Sequence, residues 1–205
     1  IVDTFGYKRI NSVSVMKLSK DGQKVIGSKE NISCDSLGIS GGWTPAVHLF
    51  TQSGGKLKFR DDDQVFIPNT YPSNQISIGS CNGDFTLDEI LINTPKLLKE
   101  FLNIKKTEYE NIEIYSAFNK SKRNIWLLPS NKIVGKTKSF VDFQNDATAK
   151  DIKLALREGF RSIEHVKRYT TTGMGTDQGK LGNMHALGII SETASSKMGE
   201  LGTTT

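Results

Sequence analysis

The sequence has few of the side chains that build metal centres and no segment that reads as membrane-spanning. Its 205 residues include only two cysteines, Cys34 and Cys81, and three histidines. Two cysteines do not make a disulfide framework, so a reducing, cytoplasmic environment is expected. No apolar run approaches the roughly 20 residues that span a bilayer, and no signal peptide is visible. We therefore expect no membrane partner, no iron–sulfur cluster and no structural zinc.

The sequence also lacks the GxGxxG fingerprint, whose glycines let a backbone approach a pyrophosphate.

The 27 basic and 22 acidic residues of the chain give a net charge of +5, and they are scattered along the sequence. Scattered charge does not indicate a nucleic-acid partner, but it can supply a local pocket for an anionic cofactor. With 36% hydrophobic and 24% charged residues, the composition is typical of one large or two small globular domains.

Residues 140–183 predict two short helices and a glycine–threonine turn that leads into a third helix. Thr148, followed three residues later by Asp151, has the pattern of a capping box. Gly159 predicts the end of the first helix, because glycine adopts left-handed backbone angles at little cost. This part of the chain is expected to be all-helical, with no strand pairing within residues 148–170.

The turn after the second predicted helix carries the chemistry that a phosphate group requires. Its threonines and glycines offer hydroxyls, backbone N–H groups and close approach, and basic side chains lie one turn upstream. A solvated helix–loop–helix is the simpler interpretation of these residue types alone. The candidate phosphate-binding residues are Lys167, Arg168, Thr170, Thr171, Thr172, Thr176, Gln178 and Lys180.

Residues 1–135 are expected to form a mixed α/β region. Alternating apolar residues from Val13 to Leu18, followed by Asp21-Gly22, predict a hairpin. Two apolar stretches, residues 32–39 and 76–78, predict strands that run into small-residue loops, where a backbone can approach a ligand. The candidate binding residues of these loops are Gly41, Gly42, Trp43, Gly79, Cys81, Asn82, Gly83 and Asp84.

These loop residues also have ordinary structural interpretations. A glycine after a strand can be only a tight turn, Trp43 can be packing, and Cys81 can be a small buried hydrophobe. The three aspartates at 61–63 are interpreted as a solvated loop. Tyr115, Phe118 and residues 125–128 are interpreted as strands around a lysine-rich turn at residues 119–124. No two histidines stand at metal-ligand spacing, so no metal site is expected. No catalytic residues are assigned. His185 is a candidate only for contact with a cofactor.

Three runs near the carboxyl terminus carry a family resemblance. FVDFQND, REGFRSIEHVKRYTTTGM and TDQGK resemble the small helical module of the alpha subunit of heterotetrameric sarcosine oxidase and of related amine- and opine-oxidising flavoenzymes. That module resembles the helical domain that holds an iron–sulfur cluster in bacterioferritin-associated ferredoxins. The positions corresponding to the ferredoxin cysteines are Asp142–Gln144 and Thr176–Gln178 here, so the resemblance implies the same frame without a cluster.

Two runs in the first region, CDSLGISGGWTPAVHL and ISIGSCNGDFTL, resemble the last part of the two-dinucleotide-binding flavoprotein fold. The resemblance implies an α+β chain: residues 1–135 form part of an NAD-binding domain, and residues 136–205 form the helical module and lead toward a folate-binding domain. Both ends are expected to be cut points in a longer subunit. Because the first fingerprint is absent, this stretch alone is expected to bind NAD poorly or not at all.

The resemblance also implies a function. The parent enzyme would demethylate sarcosine oxidatively to glycine, reduce oxygen to peroxide and pass the one-carbon unit to tetrahydrofolate through a further domain. This chain would help bind NAD and the phosphate of an FMN shared with the flavin-carrying beta subunit. Amine oxidation would occur on that partner subunit, so the isolated chain is expected to be inactive. The alternative is a non-catalytic scaffold or subunit-docking module of a related amine or opine oxidase.

Overall fold

The structure is a computed structural model that describes residues 1–105, 124–129 and 138–202. The chain divides into two compact units: Ile1–Ser40 with Ile125–Thr204, and Gly41–Asn124. These units do not coincide with the expected division at residue 135, because the first unit takes residues from both sides of it. The units reflect spatial contacts, whereas the expected division followed a change of sequence pattern. The division into two sequence domains stays a prediction.

The first unit contains a three-stranded antiparallel sheet in the order β1-β2-β3. Its strands are β1 (Asp3–Gly6), β2 (Ile10–Leu18) and β3 (Val25–Ser33). Val13 lies at the centre of the sheet, opposite Thr4 on one side and Ile32 on the other, and is only 4% exposed. The predicted hairpin is confirmed, and Gly22 takes the left-handed angle (φ +69°) in its turn.

The second unit is built on a hairpin and one long helix. It comprises α1 (His48–Gln52), β4 (Lys56–Arg60), β5 (Val65–Thr70), a 3-10 turn at Gly79–Asn82, and α2 (Leu87–Phe101). Strands β4 and β5 pair antiparallel. The buried apolar side chains of this unit are Val47, Phe50, Val65, Phe66 and Ile67. Helix α2 begins with a capping box in which Thr86 and Glu89 bond reciprocally.

Two expected strands are wrong, and the one expected at residues 32–39 is wrong beyond Ser33. Residues 34–47 form no regular element, β3 ends at Ser33 with most of its side chains exposed, and residues 71–78 and 124–129 also contain no helix or strand. Short apolar runs do not form a strand without a neighbouring strand to pair with, and neighbours lie far away in sequence. The expected strand around Tyr115 and Phe118 lies outside the described residues.

The carboxyl-terminal part of the first unit contains a short hairpin followed by three helices. These are β6 (Phe140–Asp142), β7 (Ala147–Thr148), α3 (Ala149–Arg157), α4 (Ile163–Thr170) and α5 (Asn183–Ala194), with a 3-10 turn at Met198–Glu200. The expectation of an all-helical module with no pairing within residues 148–170 is therefore wrong, because Thr148 pairs with Phe140. Thr148 is extended (φ −113°, ψ 165°), as an N-cap residue normally is, so it can end a strand and cap a helix at once.

The predicted ends of α3 are confirmed. Thr148 and Asp151 form the capping box, and Gly159 (φ +99°) follows the last turn. Helix α3 packs against α4 and α5 through side chains that are fully or almost fully buried. These core residues are Ile152, Ala155, Ile163, Val166, Ile189 and Ile190. Helix α3 also contacts β7, so this core lies next to the β6–β7 hairpin.

Candidate functional site

Asp142 joins the β6–β7 hairpin to the glycine–threonine turn. Its side chain is 5% exposed, and Oδ2 accepts a hydrogen bond from the backbone N–H of Gly173 at 2.7 Å. Oδ1 accepts from the backbone N–H groups of Gln144 (2.8 Å) and Asn145 (3.1 Å). Burial acts to raise the pKa of Asp142, but these hydrogen bonds hold the pKa below its ordinary value. Asp142 is therefore an ionised structural carboxylate at neutral pH.

Gln144 makes a second link across the same junction. Its Oε1 accepts hydrogen bonds from Thr176 N (2.6 Å), Thr176 Oγ1 (2.9 Å) and Asp177 N (3.4 Å). Gly175 leaves no room for a side chain, because a Cβ atom there would lie 2.9 Å from Gln144 Cβ. The segments Asp142–Gln144 and Thr176–Gln178 thus lie together and are joined by protein hydrogen bonds.

The threonine hydroxyls at the end of α4 make local hydrogen bonds. Thr170 Oγ1 donates to Val166 O at 2.8 Å and lies 2.8 Å from Thr172 Oγ1, and Thr172 is 2% exposed. Thr171 ends the helix with a left-handed angle (φ +60°), and its hydroxyl donates to Thr170 O at 2.6 Å. The threonine hydroxyls therefore bond to backbone carbonyls at the carboxyl end of α4 and to one another.

The basic candidates near this turn stand mostly at the surface. Arg168 is exposed and pairs with Glu164 at 3.4 Å, whereas Lys167 is half-buried. Gln178 and Lys180 are exposed in the loop before α5. Among the described residues, no hydrogen bond or ion pair joins these four side chains to the threonines. The common anion site that the sequence predicts therefore stays a prediction.

In the second unit, the Gly79–Asn82 turn presents a buried carboxylate at its end. Gly79 (φ +63°) and Gly83 (φ +86°) take angles that favour glycine. Asp84 is 7% exposed, and its Oδ1 accepts a hydrogen bond from Asn93 Nδ2 at 2.9 Å. Its Oδ2 is buried and has no hydrogen-bond partner within the described part of the chain. A buried acceptor without a hydrogen bond lowers the stability of the fold. Of the predicted site residues, Asp84 is therefore the one that would gain most from a hydrogen-bond donor on a ligand.

The other predicted residues of this unit are less engaged. Asn82 Oδ1 accepts from the hydroxyl of Tyr71 at 3.2 Å, and Cys81 is exposed. Gly41, Gly42 and Trp43 lie in an irregular segment, and Trp43 is 76% exposed. No hydrogen bond between described residues joins this segment to the Gly79–Asp84 turn. A ligand site shared by the Gly41–Trp43 and Gly79–Asp84 loops therefore stays a prediction.

Arg60 is a residue near this turn that the sequence patterns missed. Its Nε donates to Asp63 Oδ1 at 2.7 Å, and its Nη2 donates to Asp63 Oδ2 and to Gly83 O, the latter at 2.7 Å. The hydrogen bond to Asp63 raises the pKa of Arg60. Asp63, interpreted as part of a solvated loop, has a side chain only 13% exposed. The Arg-x-x-Asp spacing across the β4–β5 turn was the available signal.

A cavity of about 520 Å³ lies within the first unit, between its sheet, the 125–129 segment and α5. His185 faces it and meets the ring of Trp126 edge-on, with centroids 5.9 Å apart. Burial lowers the pKa of His185. The predicted cofactor contact of His185 stays a prediction.

In the described ranges, no three His, Cys, Asp or Glu residues could hold a metal together, and no helix is long and apolar enough to cross a membrane.

Comparison with known proteins places this geometry in a family context. Residues 136–205 match the family described as the sarcosine oxidase A3 domain. Three sarcosine oxidase alpha subunits align with nearly all of the chain. The chain is similar to part of the sarcosine oxidase alpha subunit. Identity is 33% over 100% of the chain with the Rhizobium meliloti (strain 1021) protein, and 30% over 100% with that of Corynebacterium sp. (strain P-1). The third, from Corynebacterium sp. (strain U-96), is 31% identical over 94% of the chain.

The chain spans about a fifth of the length of these relatives (20–22%). The resemblance inferred from the quoted runs is confirmed, and the names of the relatives agree with the expected oxidoreductase class. The structure of an L-proline dehydrogenase from P. horikoshii has a similar fold, with a TM-score of 0.60 and 20% identity over 99% of this chain and 40% of that one. The expected mixture of helices and strands is likewise confirmed.

Proposed function

We propose that the chain forms part of the alpha subunit of a sarcosine oxidase-type oxidoreductase and helps bind NAD and the phosphate of FMN. The observation that carries this proposal is the 30–33% identity with three sarcosine oxidase alpha subunits over 94–100% of the chain. In the assembled heterotetramer, sarcosine would be demethylated oxidatively to glycine, and tetrahydrofolate would receive the one-carbon unit on a further domain. The fold would be the end of a two-dinucleotide-binding flavoprotein domain followed by the ferredoxin-like helical module.

The buried Asp84 oxygen supports the NAD assignment. A ribose hydroxyl is a neutral donor of the size that could satisfy Asp84 Oδ2, which has no partner among the described residues. Gly79 and Gly83 take left-handed angles that favour glycine, and Gly83 is buried against Arg60 and Ile67, so packing sets the shape of the turn. Asp84 would orient the ribose, and the turn would contact it through backbone groups. The other NAD candidates are Gly41, Gly42, Trp43, Cys81 and Asn82.

The FMN phosphate would bind beside the glycine–threonine turn. Among the described residues, Arg168 pairs with Glu164 through side chains that are 67% and 41% exposed, and such surface pairs contribute little. Exchanging Glu164 for a phosphate therefore costs little and gains a charge-assisted bond. When bound, FMN would supply the electron acceptor, and this chain would hold its phosphate through Lys167, Arg168, Thr170, Thr171, Thr172, Thr176, Gln178 and Lys180.

The second candidate function is a subunit-docking module of a related amine or opine oxidase. The observation that favours it is the hydrogen bonding of the threonines. The hydroxyls of Thr170, Thr171 and Thr172 already make hydrogen bonds at the carboxyl end of α4. In this alternative, the links from Asp142 and Gln144 stiffen a surface for another subunit. The basic side chains then face solvent or protein rather than a phosphate.

Co-expression with candidate flavin-carrying subunits separates the two functions. The protein that contains this chain is purified with its partners, and the flavin absorbance and the NAD content of the complex are measured. A complex that retains flavin and NAD, and loses flavin on Arg168→Ala, supports the cofactor-binding function. A stable flavin-containing complex that holds no NAD and is unchanged by Arg168→Ala supports the docking function. Failure to form any complex contradicts both.

A further inference from the structure

We infer that Arg60 is a positioning residue for the Asp84 turn: its guanidinium fixes the peptide that presents Asp84 to a nucleotide ribose. This inference rests on the proposed NAD role of Asp84. It concerns a residue that lies outside the turn itself, on the last position of β4. Arg60 would not touch the ribose; it would act through the backbone of the turn and through the attraction between its guanidinium and the Asp84 carboxylate, which contributes to raising the pKa of Arg60.

The guanidinium connects two parts of the second unit. Its Nε and Nη2 are held by both oxygens of Asp63, so the direction of the second N–H group on Nη2 is set by the β4–β5 hairpin. That group, on Nη2, donates to the carbonyl oxygen of Gly83 at 2.7 Å. The side chains of Arg60 and Asp63 are only 28% and 13% exposed, so water competes weakly for these bonds.

The Gly83 carbonyl is the part of the turn that controls Asp84. This carbonyl belongs to the peptide between Gly83 and Asp84, and a peptide group is planar. Holding its oxygen therefore fixes the plane from which the Asp84 side chain departs. The packing is also tight, because a Cβ atom at Gly83 would lie 2.7 Å from Arg60 Nη2 and 2.8 Å from Ile67 Cγ2.

The chemistry requires arginine rather than only a positive charge. A lysine ammonium can pair with Asp63, but it lacks the planar fork that binds a carboxylate with two N–H groups while a nitrogen also serves a carbonyl. Arg60→Lys should therefore keep the ion pair and lose control of the Gly83 peptide. Arg60→Met should lose both while keeping an unbranched side chain at this position.

The test measures NAD affinity by equilibrium dialysis on the assembled, flavin-containing protein, well below its melting temperature. Arg60→Met should weaken NAD binding about tenfold, the loss of one hydrogen bond to a charged group, with flavin content unchanged. Arg60→Lys should fall between Arg60→Met and the wild type. The matched control is Lys58→Met, which removes an equal charge from an exposed position on the same strand. It should bind NAD as the wild type does.

A double-mutant cycle separates positioning from general stabilisation. If Arg60 acts through Asp84, Arg60→Met should have little further effect on NAD binding in an Asp84→Asn background. A purely structural Arg60 would lower the melting temperature and leave NAD affinity unchanged below it, and that result overturns the inference. Additive losses in the double variant overturn it as well. If Arg60→Met fails to assemble, Asp63→Asn provides the same comparison, and unchanged NAD affinity in that variant contradicts the inference.

The outcomes also distinguish this inference from the function on which it rests. Wild-type complex that binds no NAD contradicts the proposed NAD role, and the inference falls with it. If the wild-type complex binds NAD and Arg60→Met binds it equally tightly, the inference about Arg60 is contradicted and the proposed NAD role is not. Weaker binding in Arg60→Met, with normal binding in Lys58→Met, supports both.

Discussion

The two glycine-containing turns of this chain, Thr170–Gly175 and Gly79–Asp84, carry similar residue types but satisfy their polar groups differently. In the first, Asp142 and Gln144 accept six hydrogen bonds from nearby backbone and hydroxyl groups. In the second, Asp84 uses one oxygen and leaves the other buried without a partner in the described structure. Glycines and polar residues therefore mark a turn, whereas the balance of donors and acceptors indicates which turn is built to receive a ligand.

The largest expected effect is on stability at the first turn. Asp142→Ala leaves the buried N–H group of Gly173 and the partly buried N–H groups of Gln144 and Asn145 without an acceptor, and should lower the free energy of unfolding by about 3 kcal/mol. Urea unfolding followed by tryptophan fluorescence measures this change. Asp35→Ala, at an exposed position of the same unit, is the control and should change stability by less than about 0.5 kcal/mol. Equal losses in both variants would show that Asp142 does not hold the turn.

The next effect concerns FMN retention by the assembled complex. Arg168→Ala should weaken retention about tenfold, because it removes a charge-assisted bond to the phosphate. Flavin absorbance after extensive dialysis measures the loss. Arg157→Ala is the matched control, since Arg157 is also exposed and pairs with the neighbouring Glu158 at 3.6 Å. Flavin content that is the same in Arg168→Ala and Arg157→Ala would remove Arg168 from the anion site.

A smaller stability effect is expected at the second turn. Asp84→Ala breaks one hydrogen bond, to Asn93, but also removes the orphaned oxygen. The free energy of unfolding should therefore fall by no more than about 1 kcal/mol. If the loss is smaller than that of Asp142→Ala in the same urea experiment, the Asp84 carboxylate contributes less to stability than the Asp142 carboxylate does. A loss as large as that of Asp142→Ala would mean that Asp84 is a structural carboxylate.

The smallest effect is the pH dependence at Asp142. Its pKa is lower in the folded protein than in the unfolded chain, so ionised Asp142 stabilises the fold above the ordinary aspartate pKa. This contribution is lost as the pH falls from that value, near 4, through the folded pKa. The difference in unfolding free energy between the wild type and Asp142→Asn should shrink over this acidic range. A difference that is constant with pH would show that the carboxylate is not ionised in the fold.

The sequence predicted features set by nearby residues and missed those set by distant ones. The Thr148–Asp151 capping box and the helix end at Gly159 depend on neighbours within a few positions, and both were predicted correctly. The hydrogen bond from Gly173 to Asp142 joins residues 31 positions apart, and the hydrogen bond from Arg60 to Gly83 joins residues 23 apart. No local pattern contains such pairs.

The expected strands failed for a related reason. A strand exists only when a partner pairs with it, and the apolar runs at 34–39 and 76–78 have no such partner. The small β6–β7 hairpin was missed because its last residue, Thr148, was assigned only to the helix cap. For the candidate site, Asp84 was found from a turn motif, but its buried free oxygen is a property of packing and could not be read from the chain.

The most direct test of the cofactor-binding function is to quantify the cofactors held by the assembled protein. The wild-type complex and Asp84→Asn are purified side by side, denatured, and analysed for released NAD and for flavin. We expect the wild type to hold both, and Asp84→Asn to lose most of its NAD while keeping its flavin. Wild-type protein without NAD, or Asp84→Asn with an undiminished NAD content, would contradict the proposed NAD-binding role of Asp84.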